Sequence, residues 1–418
     1  MTAGLRTDGD RLLRRIGELA TIGPIEGGGS CRLALTEEDR LGRDLVVAWM
    51  RDLGLDVTID GIGNVVAVRP GRLEGPPTMT GSHIDTVRTG GRYDGNLGVL
   101  AGLEVIETLA ENGVETEHPL AVAFFTDEEG SRFPPDMLGS LVYVGGLGLE
   151  EALDISGIDG AVVGDELERI GYRGVAPCPG PAPRAFVELH IEQGPVLEAE
   201  GTTIGAVTGV QGISWTEFTI EGQSNHAGTT PMHLRHDAGY AAAAIAAHVR
   251  FLALSMGDRQ VATVGRLGLH PDLVNVVAGS ATLTVDLRNT DEERLVAAEE
   301  DLASFVADLA SSEGVSISDR TLARFEPVDF DPRVVETVGA VADRLGHTVQ
   351  SLPSGAGHDA QMLARVCPTG MIFVPSRNGI SHNPAEHTDP VDLVAGCDVL
   401  LQTLLALDQA DLNSEATP

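Results

Sequence analysis

The sequence contains no lysine, so all 28 of its Lys and Arg residues are arginine. This absence excludes a Schiff-base lysine, such as the one that holds pyridoxal phosphate, and the lysine of a phosphate-binding loop. Basic residues are also outnumbered by 62 acidic residues, which gives a formal net charge of −34. A surface this acidic repels polyanions, so we expect neither a nucleic acid nor an anionic membrane as a partner.

Cysteine is scarce as well. The four cysteines, Cys31, Cys178, Cys367 and Cys397, lie far apart and form no CxxC pair. This spacing argues against a disulfide framework or a cysteine zinc site and is typical of a reducing compartment. No continuous apolar run reaches the length of a membrane span. The first residues are typical of an amphipathic helix rather than a signal peptide, so we expect a cytoplasmic protein.

The chain has 418 residues, which favours two domains over one. An apolar run, Leu120–Phe125, is typical of a central strand buried on both faces. Together with the preceding strand and helix it predicts an α/β fold, with a mixed, mostly parallel sheet flanked by helices. A β-α-β-β-α pattern then predicts a smaller α+β domain at 209–325, inserted between 1–208 and 326–418 of the larger domain.

Imidazoles and carboxylates cluster where the predicted strands end. In an open α/β sheet such strand ends converge in one crevice. Two imidazoles, a shared aspartate and further carboxylate or imidazole ligands suit a pair of zinc-like ions. The candidates are His83, Asp94, Glu128, Glu129, His190 and His382.

One of these candidates and one neighbouring aspartate have predicted roles other than binding a metal. One of two adjacent glutamates can bind a metal while the other stays free as a general base. Asp85, two residues after His83, is placed to orient that imidazole. Each residue alone also has an ordinary interpretation, such as a solvated loop pair for Glu128 and Glu129 or a core histidine for His190. Six separate loops would have to hold suitable ligands by chance for all those interpretations to be correct together.

Six sequence motifs carry a family resemblance. They are GSHIDT at 81–86, YDG at 93–95, DEEG at 127–130, HIEQGP at 190–195, SNHAGTTPM at 224–232 and SHNP at 381–384. In this order they resemble the dinuclear metal amidohydrolases that include N-carbamoyl-L-amino-acid hydrolase, β-ureidopropionase (β-alanine synthase) and allantoate amidohydrolase. Those enzymes are related to the aminoacylase and dipeptidase metallopeptidases. The resemblance covers nearly the whole chain.

The resemblance implies a zinc-exopeptidase-like fold with an inserted dimerisation and lid domain. It implies two divalent ions, with zinc expected first and manganese, cobalt or nickel also suited to the ligands. Asp94 would bridge the ions, and Glu128 would be the general base. His83 would bind one ion with either His382 or His190, and Glu129 would bind the other.

The resemblance also implies a substrate site in a homodimer. His226 in the inserted domain would reach the partner subunit's active site and polarise the scissile carbonyl. Asn275 and Arg288 match the family's clamp for the substrate carboxylate, a task for which arginine is well suited. Gln193 and Gly357 match positions near the substrate. The expected reaction converts an N-carbamoyl amino acid to the amino acid, ammonia and carbon dioxide.

Other functions compete with this one. Allantoate enzymes place a substrate-binding glutamine at a position that aligns with Ile213, although Gln211 lies only two residues earlier. This difference favours the carbamoylase and β-ureidopropionase members over the allantoate enzymes. An aminoacylase or a dipeptidase is a further alternative within the enzymes. A catalytically silent ligand-binding homologue is the alternative from another class, but no candidate ligand is missing.

Overall fold

The computed structural model describes residues 4–257 and 259–412. The chain divides into two compact units. The larger unit combines Met1–Gly209 with Asp329–Pro418, and the smaller unit is Val210–Val328.

Helices and strands are numbered in chain order. The helices are α1 (Gly9–Leu19), α2 (Glu37–Asp52), α3 (Asn96–Glu111), α4 (Leu138–Tyr143), α5 (Leu149–Leu153), α6 (Val163–Ile170), α7 (Val196–Glu200), α8 (Ala238–Met256), α9 (Glu292–Glu313), α10 (Pro332–Leu345), α11 (Asp359–Leu363) and α12 (Pro390–Gln409). The strands are β1 (Asp56–Ile59), β2 (Val65–Arg69), β3 (Thr78–His83), β4 (Leu120–Phe125), β5 (Ala185–Ile191), β6 (Ile204–Val210), β7 (Gly212–Glu221), β8 (Asn225–His226), β9 (Val261–His270), β10 (Val276–Val277), β11 (Ser280–Asn289), β12 (Ser316–Phe325), β13 (Val328–Asp329), β14 (Val349–Ser354) and β15 (Thr369–Val374).

The larger unit is built on a mixed sheet with the strand order β1-β2-β4-β3-β5-β15-β6-β13, and β14 pairs with β6. Its four central strands, β4, β3, β5 and β15, are parallel to one another. Antiparallel pairing begins at β2 on one side and β6 on the other. The predicted α/β fold is confirmed, with parallel pairing in the centre of the sheet.

The centre of this sheet is buried on both faces, as its composition predicts. Every residue of β3, β4, β5 and β15 is buried. Helices α3 and α12 cover the sheet and belong to the same hydrophobic core. Because side chains pack on both faces of the sheet and neither face is exposed to solvent, the carboxyl ends of these four strands are held rigidly.

Two helices, α8 and α12, are long and apolar enough to cross a membrane by length and composition. In α12 the apolar window is 67% buried inside the fold, where the helix packs on α3, α10 and β15. In α8 the window is only 28% buried, because one face packs on the sheet of the smaller unit and the other is exposed. Packing of this kind is expected of core and amphipathic helices in a folded domain.

The smaller unit has a four-stranded antiparallel sheet with the order β12-β7-β11-β9. Helices α8 and α9 pack on it and share its hydrophobic core. A separate two-stranded ribbon pairs β8 with β10, so that His226 lies opposite Val276. This is the α+β architecture predicted for the inserted segment. Strand β9 is an edge strand of ten residues, and most of its side chains are exposed.

Several elements were not predicted. Among them are the two helices α4 and α6 in the segment 136–184. Strands β6, β12 and β14 were also missed. Strand β12 carries exposed polar residues along most of its length, because only one of its faces contacts α9. Its sequence therefore lacks the apolar alternation that identifies a strand.

Candidate active site

The parallel strands bring the predicted ligands to one edge of the larger unit's sheet. His83 is the last residue of β3, and His190 lies near the end of β5. Glu128 and Glu129 follow β4, and His382 follows β15 after a short 3-10 turn at Arg377–Gly379. Carboxyl ends of neighbouring parallel strands meet at one edge, which explains why residues far apart in the chain lie together.

Asp94 lies between two groups of ligands. Its Oδ1 atom is 3.2 Å from His190 Nε2 and 3.6 Å from His83 Nε2. Its Oδ2 atom is 3.6 Å from His382 Nε2, which in turn is 3.2 Å from Glu129 Oε2. Each group presents three donor atoms within 4.8 Å of one another. The arrangement groups His83 with His190 and Glu129 with His382, an assignment that the sequence left open.

Hydrogen bonds to main-chain carbonyls orient the two buried imidazoles toward Asp94. His83 Nδ1 lies 3.0 Å from the carbonyl oxygen of Asp85, and His190 Nδ1 lies 2.8 Å from that of Ile191. Both Nδ1 atoms therefore carry the proton and donate it, which leaves each Nε2 with a lone pair. His83 Nε2 is buried and has no hydrogen-bond partner. A buried lone pair facing a carboxylate fits a divalent cation between them.

The electrostatics of the site are those of a crowded anionic cluster. Burial raises the pKa of Asp94, but the neighbouring imidazoles of His190 and His83 outweigh this effect and hold that pKa well below its usual range. Burial raises the pKa of Glu128 well above its usual range, and Asp359 and Glu129 add to the effect. A buried glutamate with a raised pKa is suited to accept and return a proton.

Asp85 differs from its prediction. Its carboxylate lies 3.9 Å from His83 Nδ1, too far for a hydrogen bond, and its main-chain carbonyl makes the contact instead. The carboxylate accepts from the main-chain N–H groups of Glu128 and Glu129, at 3.3 and 3.4 Å. The carboxylate therefore lies against the loop after β4. Asp85 therefore contacts both ligand-bearing loops.

Two predicted substrate residues lie beside the cluster. Gln193 donates from Nε2 to Asp94 Oδ2 at 2.9 Å and has a positive φ of 58°. Backbone strain is typical of a functional position, and here it occurs in a residue whose side chain reaches the shared carboxylate. Gly357 precedes His358, whose ring lies 4.6 Å from that of His190.

The remaining predicted residues lie in the smaller unit. His226 is exposed, and its Nδ1 accepts from the N–H of Gly228 at 3.1 Å, so its proton is on Nε2. The carbonyl of Asn275 accepts from the N–H of Ala227, which places Asn275 on the same ribbon. Arg288 forms a salt bridge with Asp286 at 2.9 Å, and its guanidinium lies 5.8 Å from the ring of Trp215.

Glycine at position 95 allows the cluster to form. Gly95 has a φ of 65°, and a Cβ there would lie 2.4 Å from His83 Cε1 and Nε2. Its N–H donates to His190 Nε2 at 3.0 Å. Only glycine combines this backbone conformation with so close an approach to an imidazole.

Comparisons with known proteins give the family. The model of peptidase family M20/M25/M40 matches residues 79–406. An N-carbamoyl-L-amino-acid amidohydrolase of Rhizobium meliloti is 41% identical over 401 residues, which are 96% of each chain. The chain belongs to peptidase family M20/M25/M40.

Two further relatives of this M20 chain bear on its chemistry. The crystal structure of an amidase of the hydantoinase/carbamoylase family from Burkholderia multivorans is 46% identical, with a TM-score of 0.94 over 96% of this chain and 98% of that one. An allantoate amidohydrolase of Escherichia coli is 36% identical over 398 residues, which are 93% of this chain and 95% of that one. The M20 family is metal-dependent, and the two ligand groups around Asp94 could hold metal ions.

Sequence reasoning missed one residue that supports the M20 site. Arg32 is buried and lies before α2, far from any predicted strand end. Its guanidinium donates to the carbonyl of Ile84 at 3.2 Å and to Asn96 Oδ1 at 2.8 Å. These acceptors lie next to His83 and near Asp94, so Arg32 ties the two loops together. No pattern in the sequence connects Arg32 with either loop.

Proposed function

We propose that this chain hydrolyses the carbamoyl C–N bond of N-carbamoyl amino acids. One water adds across the bond between the carbamoyl carbon and the amino nitrogen. The products are the free amino acid and carbamate, which breaks down to ammonia and carbon dioxide. The observation that carries the proposal is the position of Asp94, whose two oxygens face two separate groups of ligands.

Two divalent ions fit the proposed site. His83, His190 and Asp94 would hold one ion, and Glu129, His382 and Asp94 would hold the other. Bound there, the ions would act as Lewis acids toward water and a carbonyl oxygen at neutral pH. Imidazole and carboxylate ligands suit zinc, and also manganese, cobalt and nickel.

Glu128 moves the proton in the proposed reaction. It belongs to neither ligand group, and its Oε2 lies 3.3 Å from His83 Nε2 at the edge of the cluster. From there it takes a proton from the attacking water and returns it to the leaving amino nitrogen. Burial raises its pKa well above that of an exposed glutamate, which makes its carboxylate a stronger base.

The smaller unit supplies substrate contacts. His226 carries its proton on Nε2 and can donate a hydrogen bond to the carbamoyl oxygen, where negative charge develops. Arg288 and Asn275 would bind the substrate carboxylate, and Gln193 and Gly357 would line the substrate on the larger unit. Arg288 exchanges its partner Asp286 for the substrate in this scheme.

A homodimer would let His226 act on the partner subunit's site. The edge strand β9 supports this part of the proposal, since Val261, Leu267 and Leu269 are exposed along an unpaired edge. A long apolar edge strand is a template for pairing with another chain, and an identical copy satisfies it by two-fold symmetry.

Complementation tests the shared site. Glu128→Gln and His226→Ala subunits are each inactive as homodimers under this proposal. In a mixed dimer one of the two sites has both an intact Glu128 and the partner's intact His226. Random mixing therefore restores about a quarter of wild-type activity. A mixture that stays inactive, although mixed dimers are detected by mass, refutes the contribution in trans.

A substrate panel tests the reaction itself. Ammonia release is measured with N-carbamoyl-L-alanine, N-carbamoyl-β-alanine and allantoate, and release of free amino acid is measured with N-acetyl-L-alanine and a dipeptide, after loading with each divalent ion in turn. We expect the N-carbamoyl acids to be hydrolysed fastest. Preference for allantoate would favour the second candidate function, which the Escherichia coli relative suggests. Ile213 argues against it, because this side chain is buried in β7 and carries no amide.

The cell compartment is part of the proposal. Cys31, Cys178, Cys367 and Cys397 are all free thiols. Free thiols throughout a chain are compatible with a cytoplasmic location, where reducing systems keep cysteines unpaired.

A further inference from the structure

The loop that carries His382 is the least protected part of the proposed centre. The side chain of His382 is 51% exposed, whereas those of His83 and His190 are 1% exposed. His382 also has a positive φ of 54°, which is costly for a residue other than glycine. A residue in this conformation keeps its position only where surrounding contacts enforce it.

Glu386 makes such contacts from the same loop. Its side chain is buried, and its Oε1 accepts from the N–H groups of Tyr93 and Asp94 at 3.0 and 3.3 Å. Its Oε2 accepts from Ser381 Oγ at 3.2 Å, and the same hydroxyl lies 2.8 Å from Asp94 Oδ2. One carboxylate therefore joins the Asp94 loop to the His382 loop across 292 residues of chain.

The Asp94 loop is shaped to receive this carboxylate. A Cβ at Gly91 would lie 2.0 Å from Glu386 Oε1 and 2.5 Å from its Cβ. No side chain larger than that of glycine fits at position 91 while Glu386 stays in place. The contact is therefore built from both loops, since one supplies the carboxylate and the other the space and the N–H donors.

We propose that Glu386 is a positioning residue that fixes His382 relative to the shared carboxylate of Asp94. It keeps the Glu129–His382 side of the centre able to bind a divalent ion. The inference rests on the proposed two-ion centre. It goes further because ion binding at the Glu129–His382 side then depends on Glu386, a residue that would contact neither an ion nor the substrate. Ser381 is the intermediate, because its hydroxyl contacts both carboxylates.

Ion binding to the full-length protein tests this role without a substrate. The wild type, Glu386→Ala, Glu386→Gln and Ser381→Ala proteins are stripped with a chelator and titrated with Zn²⁺ against a competing dye. Bound ions are counted by native mass spectrometry. Glu386→Gln keeps an oxygen for the two N–H groups and is the conservative variant.

Asp408 provides a matched control. It is also buried, and it accepts from the successive N–H groups of Glu117 and His118 at 2.9 and 2.8 Å, across 291 and 290 residues of chain. These donors precede β4, at the end of the sheet opposite the cluster. Asp408→Ala thus removes an equivalent link between two segments without touching the proposed centre.

We expect Glu386→Ala to lower the affinity for one of the two Zn²⁺ ions by about 10- to 100-fold. This is the usual effect of losing a hydrogen-bond partner of the ligands. Glu386→Gln should recover most of the affinity, and Ser381→Ala should show a smaller loss at the same ion. Asp408→Ala should bind both ions as the wild type does, even if it unfolds at lower temperature. Two ions bound equally by wild type and Glu386→Ala overturn the inference and leave the proposed function intact. A wild type that binds no pair of ions overturns both.

Discussion

Glu128 Oε2 lies 3.3 Å from Nε2 of His83, the one buried imidazole nitrogen of the cluster that has no hydrogen-bond partner. The residue proposed as the base thus stands directly beside an atom proposed to bind an ion. His83 ends β3, and Glu128 lies just beyond the neighbouring strand β4, which pairs with β3 in parallel up to Phe125 and His83. The pairing of these two strands therefore brings the base and the ligand together.

Substitution of the base separates chemistry from ion binding. Glu128→Gln keeps the size of the side chain but removes its ability to accept the proton. We expect kcat to fall by about 10²- to 10⁴-fold, the usual contribution of a general base, while two ions remain bound. Ammonia release and metal content are measured on the same sample. Near-normal turnover in this variant would refute the role of Glu128.

The glycine beside His83 provides a steric test. In Gly95→Ala the new Cβ meets the imidazole at 2.4 Å, so His83 must move and ion affinity must drop. Gly113 is the control. It lies just after α3, whereas Gly95 lies just before it, and its φ of 62° is similar. Nothing lies within 4 Å of a Cβ placed at Gly113. Gly113→Ala should cost about 1–2 kcal/mol of unfolding free energy from backbone strain alone and keep both ions. Equal ion binding by the two variants would contradict the account.

Proton release should accompany ion binding at His382. Its hydrogen bond and charge interaction with Glu129 raise the pKa of His382 to about 9. A folded pKa above the unfolded value near 6.5 stabilises the metal-free fold below pH 6.5, and this contribution is lost as pH rises through 9. An ion requires the neutral imidazole, so between pH 7 and pH 9 affinity should rise about tenfold per pH unit.

Calorimetry checks this linkage. Titration with Mn²⁺ in two buffers of different protonation enthalpy reports the number of protons released at pH 7.5. The Glu129→Gln variant loses the partner that holds the proton and should release less. Identical heats in both buffers for the wild type would show that His382 is not protonated in the metal-free protein.

Substitutions in a buried ion pair of α2, Asp39 and Arg43, test what stabilises the fold. Arg43 Nε lies 2.7 Å from Asp39 Oδ2, and neither side chain is exposed. Arg43→Met leaves a buried carboxylate without its partner and should reduce the unfolding free energy by roughly 3–5 kcal/mol in urea. Arg40→Met, on the exposed face of the same helix, is the control and should cause no comparable loss. Combining Asp39→Leu with Arg43→Met should recover part of the stability, and a further loss would exclude the pairing as the cause.

The sequence could place the candidate residues at strand ends for a physical reason. His83, Glu128 and His190 each stand at or just beyond the end of a buried strand, and parallel strands bring such ends together. The apolar run of β4 and the motifs around it were visible without any knowledge of the fold. The pairing of His83 with His190 was not visible, because it depends on β3 and β5 being neighbours in the sheet.

Contacts that depend on loop geometry could not be predicted. The Asp85 carboxylate was expected to orient His83, but it accepts hydrogen bonds from the N–H groups of Glu128 and Glu129. Arg32 and Glu386 act through main-chain groups far away in sequence, and no residue spacing encodes such contacts. Strand β12 was missed because its exposed face is polar.

The most direct test of a two-ion centre around Asp94 is anomalous diffraction at the zinc edge from crystals of the Zn²⁺-loaded protein. The account predicts two peaks, one between His83 and His190 and one between Glu129 and His382, each next to one oxygen of Asp94. A single peak, or zinc bound away from Asp94, would contradict it.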